Sequence, residues 1–139
     1  MKHVLPISWT EAGGRGSVGG IPAADLAARF GTPLVVVDER HLEARLAAFR
    51  SAFGPGAELT YAGKAFLCGA LVRLLAREGW FVDVVSGGEL ELVRRAGFPM
   101  DRVLLHGNAK SAAELERAIA LGAGRIVIDH PASRRSRAR

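Results

Sequence analysis

From Leu59 onward the chain alternates short apolar runs with longer amphipathic stretches. The runs begin near Leu59, Phe81, Arg102 and Arg125, about 22 residues apart. Between them apolar residues recur at helical spacing: Leu71, Leu74 and Leu75, then Leu90 and Val93, then Leu115, Ala118 and Ile119. Strand-length runs separated by helix-length amphipathic segments predict βα repeats and hence a parallel sheet, an α/β fold. Ser86-Gly87-Gly88-Glu89 and Ser111-Ala112-Ala113-Glu114 read as capping boxes, and Gly97 and Gly122 stand where helices should end.

The first third is patterned differently. Residues 10 to 20 are so rich in glycine that they predict a turn or loop rather than regular structure. Pro22 to Phe30 suits a short helix with Leu26 and Phe30 on one face and Gly31 as its stop. Leu34-Val35-Val36-Val37 is a continuous β-branched run, which predicts a strand buried on both faces. Asp38 then fits an N-cap, and Leu42, Leu46 and Phe49 lay one stripe along a helix that ends near Gly54-Pro55-Gly56.

In βα architectures chemistry gathers at the carboxyl ends of the strands. The polar punctuation of this chain falls there: Lys64 closes the first repeat, Asp83 and Ser86 the second, His106 and Asn108 the third, and Asp129 the fourth. Alternation from Leu59 places Thr60, Ala62, Lys64 and Phe66 on one face, so Lys64 is expected among small or apolar neighbours. A lysine held there loses hydration, which favours the neutral amine that attacks an aldehyde. The other reading is a lysine whose stem lies on apolar neighbours while its head reaches solvent.

Asp83 interrupts an apolar strand and needs a partner, for which Lys64 is the nearest candidate. Ser86 and Glu89 are explained by a helix cap as readily as by a ligand. His106 after Val103-Leu104-Leu105 is open to a structural role, although Gly107-Asn108 suits a loop that lets a ligand approach the backbone. No HxxxH or HExxH spacing is present, so no metal is expected.

Composition narrows the classes further. The chain has 139 residues, 49% of them hydrophobic and 24% charged, which suits one folded domain rather than a disordered segment. The formal charge of +5 comes mainly from Arg134, Arg135, Arg137 and Arg139; without them fifteen basic residues face fourteen acidic ones. A basic tail without interleaved aromatics is no nucleic-acid signature, and no such partner is expected. The single cysteine, Cys68, rules out an internal disulfide and suits a buried packing residue in a reducing compartment. The N-terminus lacks the apolar length of a signal peptide and no run is long enough to span a bilayer, so a cytoplasmic protein without a membrane partner is expected.

Taken in order, Tyr61-Ala62-Gly63-Lys64-Ala65, Asp83-Val84-Val85-Ser86-Gly87-Gly88-Glu89 and His106-Gly107-Asn108-Ala109-Lys110-Ser111 resemble the amino-terminal part of diaminopimelate decarboxylases. These belong to the ornithine, diaminopimelate and arginine decarboxylases, pyridoxal-phosphate enzymes of the alanine-racemase-like fold. The resemblance runs from about Val18 to Asp129. It implies that Lys64 carries pyridoxal 5′-phosphate covalently, that Asp83 lies near that lysine as a second catalytic residue, and that Ser86, His106 and Asn108 line the cofactor pocket. Phe66 and the His-Gly-Asn loop favour the diaminopimelate branch, whereas Ala109 departs from it, because a second asparagine is common there. The reaction implied is decarboxylation of meso-2,6-diaminopimelate, a small amino-acid substrate, to L-lysine, and the family's full-length members are expected to be homodimers.

The same resemblance sets expectations about extent. A complete (β/α)8 barrel takes about 250 residues, so this chain is expected to hold an incomplete one: about four βα repeats with a leading strand and helix, lacking the second barrel half and the carboxy-terminal β domain. Residues 1–30 read as a leader with a loop and short helix, 31–129 as a partial pyridoxal-phosphate barrel domain, and 130–139 as a basic, disordered tail foreign to a fifth repeat. A truncated or frame-shifted decarboxylase, inactive alone and binding its cofactor poorly, is the expectation, with an open sheet edge at Ile126 to Ile128. The alternatives are a sister decarboxylase or racemase of the same fold, and a non-catalytic half-barrel that assembles with another chain.

Overall fold

A computed structural model describes Leu5 and residues 7–128. Asp129 and the arginine-rich tail lie outside the described residues. The chain divides into two compact units, one up to Ala57 and one from Glu58.

In the first unit, β1 (Thr10–Ala12) and β2 (Arg15–Val18) form an antiparallel hairpin, and β3 (Ile21–Pro22) pairs with β2. The expectation of an irregular loop is therefore corrected. The glycine pairs Gly13-Gly14 and Gly19-Gly20 all have positive φ, from 57° to 81°, which is what two-residue hairpin turns require. The glycines make the turns and leave the strands between them intact.

Helix α1 (Ala23–Phe30) follows and stops at Gly31 as predicted, but none of its residues is buried and Phe30 is exposed. Helix α2 (Glu39–Phe53) is capped by Asp38, whose carboxylate accepts from His41 N at 3.2 Å. The Ser8 hydroxyl donates to the same carboxylate, and that bond leads the interactions that hold Asp38 below the usual aspartate range. Leu46 is buried as its stripe predicts, while Phe49 is exposed and stacks on Phe53 at 6.2 Å between ring centres.

Leu34–Val37 departs most from expectation. It forms no strand and is exposed throughout, Val35 at 86%. A β-branched run favours extended backbone, but a strand exists only where a neighbour supplies its hydrogen bonds.

The second unit has the predicted βα repeats. Strands β4 (Thr60–Ala62), β5 (Phe81–Val84), β6 (Val103–Leu105) and β7 (Arg125–Ile126) form one parallel sheet in sequential order. Helices α3 (Gly69–Arg77), α4 (Gly87–Arg95) and α5 (Ala112–Ala120) connect them. Right-handed crossovers between sequential parallel strands put all three helices on one face.

That face is the core. Val82, Val84, Val103 and Leu105 are completely buried there with Val72, Leu75, Leu90, Val93 and Ala118 of the helices. The ladder pairs Ala62 with Asp83, Asp83 with Leu104 and Leu104 with Arg125, so these four residues share the opposite face. Ile119 is exposed, against its predicted place in the helical stripe. Among the described residues α5 is the last helix of the row, and its far flank has no helix to meet. No described helix is long and apolar enough to cross a membrane.

Candidate cofactor site at the strand ends

Because β4, β5 and β6 are parallel and in register, their carboxyl ends deliver the polar residues to one rim. Lys64 follows β4, Asp83 lies within β5, Ser86 caps α4, and His106 and Asn108 follow β6. The backbone holds two of these loops together: His106 N donates to Val84 O at 2.8 Å.

Lys64 is neither on the strand nor buried. Strand β4 stops at Ala62, and Gly63–Ala65 form one turn of 3-10 helix in which Lys64 is exposed. The alternation of two therefore ends before reaching it, which corrects the expectation of a desolvated strand lysine. Gly63 explains the early turn. It is buried against β5, and a Cβ at this position would stand 2.7 Å from the Asp83 carbonyl oxygen, closer than packing allows. The Tyr61 hydroxyl donates to Phe66 O at 2.8 Å and closes the turn that carries Lys64. Burial, with a smaller contribution from Cys68, pushes the Tyr61 phenol up, so it stays protonated as a donor.

Asp83 finds His106 rather than Lys64. His106 Nδ1 stands 3.4 Å from Asp83 Oδ2, with the aspartate side chain 18% exposed and the imidazole 50%. Among the described residues no ion pair joins Lys64 to Asp83, because the 3-10 turn carries the amine away from the strand. Among the described residues Asp83 Oδ1 is buried without a hydrogen-bond partner, which is costly for a carboxylate and leaves an acceptor for a donor brought to the rim.

Ser86 caps α4 by accepting from Glu89 N at 3.2 Å. The expected reciprocal box is incomplete, since Glu89 accepts from Val85 N, one residue before the cap, at 2.7 Å. The box at Ser111 and Glu114 is complete. Cys68 is only half-buried, because it opens α3 at its end instead of lying on its packed face. Asn108 sits in the loop after β6, where the Lys110 ammonium donates to Gly107 O. The sequence left two contributors unseen: the Tyr61 hydroxyl and the long reach of Glu114, whose Oε1 accepts from Gly87 N at 2.7 Å. Neither has a periodic signature.

Among the described residues no three His, Cys, Asp or Glu side chains cluster as metal ligands. A groove of about 510 Å3 between α3 and α4 is lined by Gly69, Arg73, Gly88, Glu91, Leu92, Arg95 and Ala96, apart from Lys64, Asp83 and His106. The rim suits an aldehyde-bearing cofactor. It offers an exposed amine that no described residue engages, and a buried carboxylate oxygen awaiting a donor.

Residues 39–133 match the family described as pyridoxal-dependent decarboxylase, pyridoxal binding domain. The diaminopimelate decarboxylase of Actinosynnema pretiosum is 52% identical over 112 residues, which cover 81% of this chain and 25% of that protein. That of Mycobacterium tuberculosis is 44% identical over 134 residues, 93% of this chain and 30% of that one. The chain thus spans between a quarter and a third of the length of these curated relatives. Among solved structures, the diaminopimelate decarboxylase of M. jannaschii in complex with L-lysine superposes with a TM-score of 0.80 at 32% identity, covering 88% of this chain and 30% of that one. With a family match across two thirds of the sequence and an α/β unit built of parallel βα repeats, the chain belongs to the pyridoxal-dependent decarboxylases, through their pyridoxal binding domain.

Proposed function

We propose that this chain supplies the lysine-bearing part of a pyridoxal-phosphate decarboxylase acting on meso-2,6-diaminopimelate to give L-lysine, and that its parallel sheet is the first part of a (β/α)8 barrel. The sequential strand order with helices on one face supports the barrel, as does the likeness to the lysine-bound structure. The identity to two diaminopimelate decarboxylases supports the substrate. The observation that carries the reading is the exposed Lys64 amine on the turn after β4, beside the strand whose Asp83 carboxylate has a buried oxygen that no described residue engages.

In this reading Lys64 holds the cofactor through its amine, and Ser86, His106 and Asn108 line the pocket. Bound pyridoxal phosphate supplies an electron sink for the pair left behind when carbon dioxide leaves an amino acid. The chain's own residues set the surroundings. Asp83 keeps one oxygen on His106 Nδ1 and presents the other to a donor, which fixes the imidazole's orientation and holds a negative charge at the rim. The Tyr61–Phe66 hydrogen bond holds the Lys64 turn in place.

Borohydride reduction of the chain with pyridoxal phosphate, followed by peptide mass mapping, tests the reading. Because weak cofactor binding is expected of this chain alone, the reduction is run at saturating pyridoxal phosphate: a cofactor mass on Lys64, absent from Lys64→Ala, is the expected result, and equal modification of Lys2 and Lys110 would overturn it. Carbon dioxide release from diaminopimelate, ornithine and arginine, measured with the gene's product, then separates the proposed substrate from those of sister enzymes.

A further inference from the structure

We propose that Glu114 is a positioning residue that clamps the Ser86–Gly87 turn to the loop running from His106 to Ser111. Its role in cofactor binding rests on the reading above, whereas the clamp stands on the geometry alone.

The carboxylate divides its two oxygens between two helices. Oε2 completes the capping box of α5, accepting from Ser111 N at 2.9 Å and from the Ser111 hydroxyl at 2.8 Å. That box needs nothing more. Oε1 instead accepts from Gly87 N at 2.7 Å, across 27 residues of sequence. Gly87 is the first residue of α4, where a helix leaves its N–H groups without internal partners. Ser86 Oγ serves Glu89 N, and the Glu89 carboxylate serves Val85 N, so Glu114 supplies the acceptor for Gly87. A Cβ at Gly87 would lie 3.2 Å from Glu114 Cγ, so a residue without a side chain suits the close approach.

One charge thereby stabilises two helix N-termini, each of which favours a nearby anion. The Ser111 N–H and hydroxyl contribute most, and Gly87 adds to them, in holding the Glu114 carboxyl below the ordinary glutamate range. The consequence is geometric. Ser86 adjoins one end of the clamp, and the loop containing His106 and Asn108 runs into the other. With the ladder bond from His106 N to Val84 O, the clamp fixes the two loops at two separated points, so neither can pivot about the ladder alone.

Amide hydrogen exchange by NMR on the full chain separates this clamp from a simple cap. In Glu114→Ala, Gly87 should exchange about tenfold faster, with shifts at Ser86 and His106. Ser111→Ala removes the cap hydroxyl and should leave Gly87 as protected as in the parent. Glu114→Gln is the variant to use should the alanine chain fail to fold. Glutamine has one acceptor oxygen, so it should protect Gly87 or Ser111 but not both. Unchanged Gly87 exchange in Glu114→Ala, full protection of both amides in Glu114→Gln, or equal loss at Gly87 in Ser111→Ala would each overturn the clamp. Borohydride trapping at Lys64 tells the two readings apart. A parent chain with Gly87 protection that depends on Glu114 but no trapped cofactor upholds the clamp and overturns the cofactor reading. Trapping in the parent with Gly87 exchange indifferent to Glu114 does the converse.

Discussion

Leu34-Val35-Val36-Val37 and Phe81-Val82-Asp83-Val84 are two apolar runs of equal length with opposite fates. The first is wholly apolar, yet it is exposed and forms no strand. The second carries an aspartate within it and is the interior strand β5, with Val82 and Val84 completely buried. The difference lies in their neighbours. β5 pairs with β4 on one side and β6 on the other, and helix α3 packs against it. Apolar character supplies the driving force for burial, but a strand's hydrogen bonds and cover come from elsewhere in the chain.

The largest effect should therefore come from truncation in the covered sheet. Leu105→Ala removes a completely buried side chain beside Val84 and should cost about 2–5 kcal/mol in urea unfolding. Val36→Ala, in the uncovered run, should change stability by less than about 0.5 kcal/mol. Comparable losses at the two positions would break the contrast.

Gly63→Ala sharpens it at the functional rim. The new methyl meets a backbone carbonyl of β5, so relief requires the strand or the Lys64 turn to move, at about 1–3 kcal/mol. The amide shift of Asp83 should change with it, and an unperturbed Asp83 would sink the claim that this close approach sets the turn. Ser111→Ala should cost about 1 kcal/mol through the lost cap, read as a lower urea midpoint.

Acid should act through Glu114. Its folded-state pKa is lowered, so the stability it contributes is present above the ordinary glutamate value near 4.5 and is lost as pH falls through the lower folded value. A urea midpoint that falls over that window in the parent, and less steeply in Glu114→Gln, is the expected outcome. The smallest effect belongs to the Arg125–Glu58 pair, which meets at 2.5 Å with both side chains about half exposed. Glu58→Gln should cost less than about 0.5 kcal/mol and nothing measurable in high salt.

Helix α4 shows how far local pattern reaches, and Lys64 shows where it fails. The stripe of Leu90 and Val93, the Ser86 cap and the terminal Gly97 were all readable, because helical hydrogen bonds and caps join residues a few positions apart. The positions of Lys64, Ser86, His106 and Asn108 after a strand, and of Asp83 within one, were readable for a similar reason, since they recur in a regular repeat. Their mutual contacts were not. That Asp83 takes His106 as its partner, and that Lys64 leaves the strand at Gly63, depend on how β4, β5 and β6 lie side by side.

The sequence alone determined the βα order, the helices with their ends, and which polar residues fall in or just after the strands of the parallel sheet. Tertiary structure decided that Leu34–Val37 forms no strand, that Lys64 stands in solvent on a 3-10 turn, and that Glu114 reaches Gly87, 27 residues away, at the start of another helix. Helical periodicity is set within one turn of the chain. Strand pairing, close backbone approach and a carboxylate's choice of donor are set by residues that only the fold brings together.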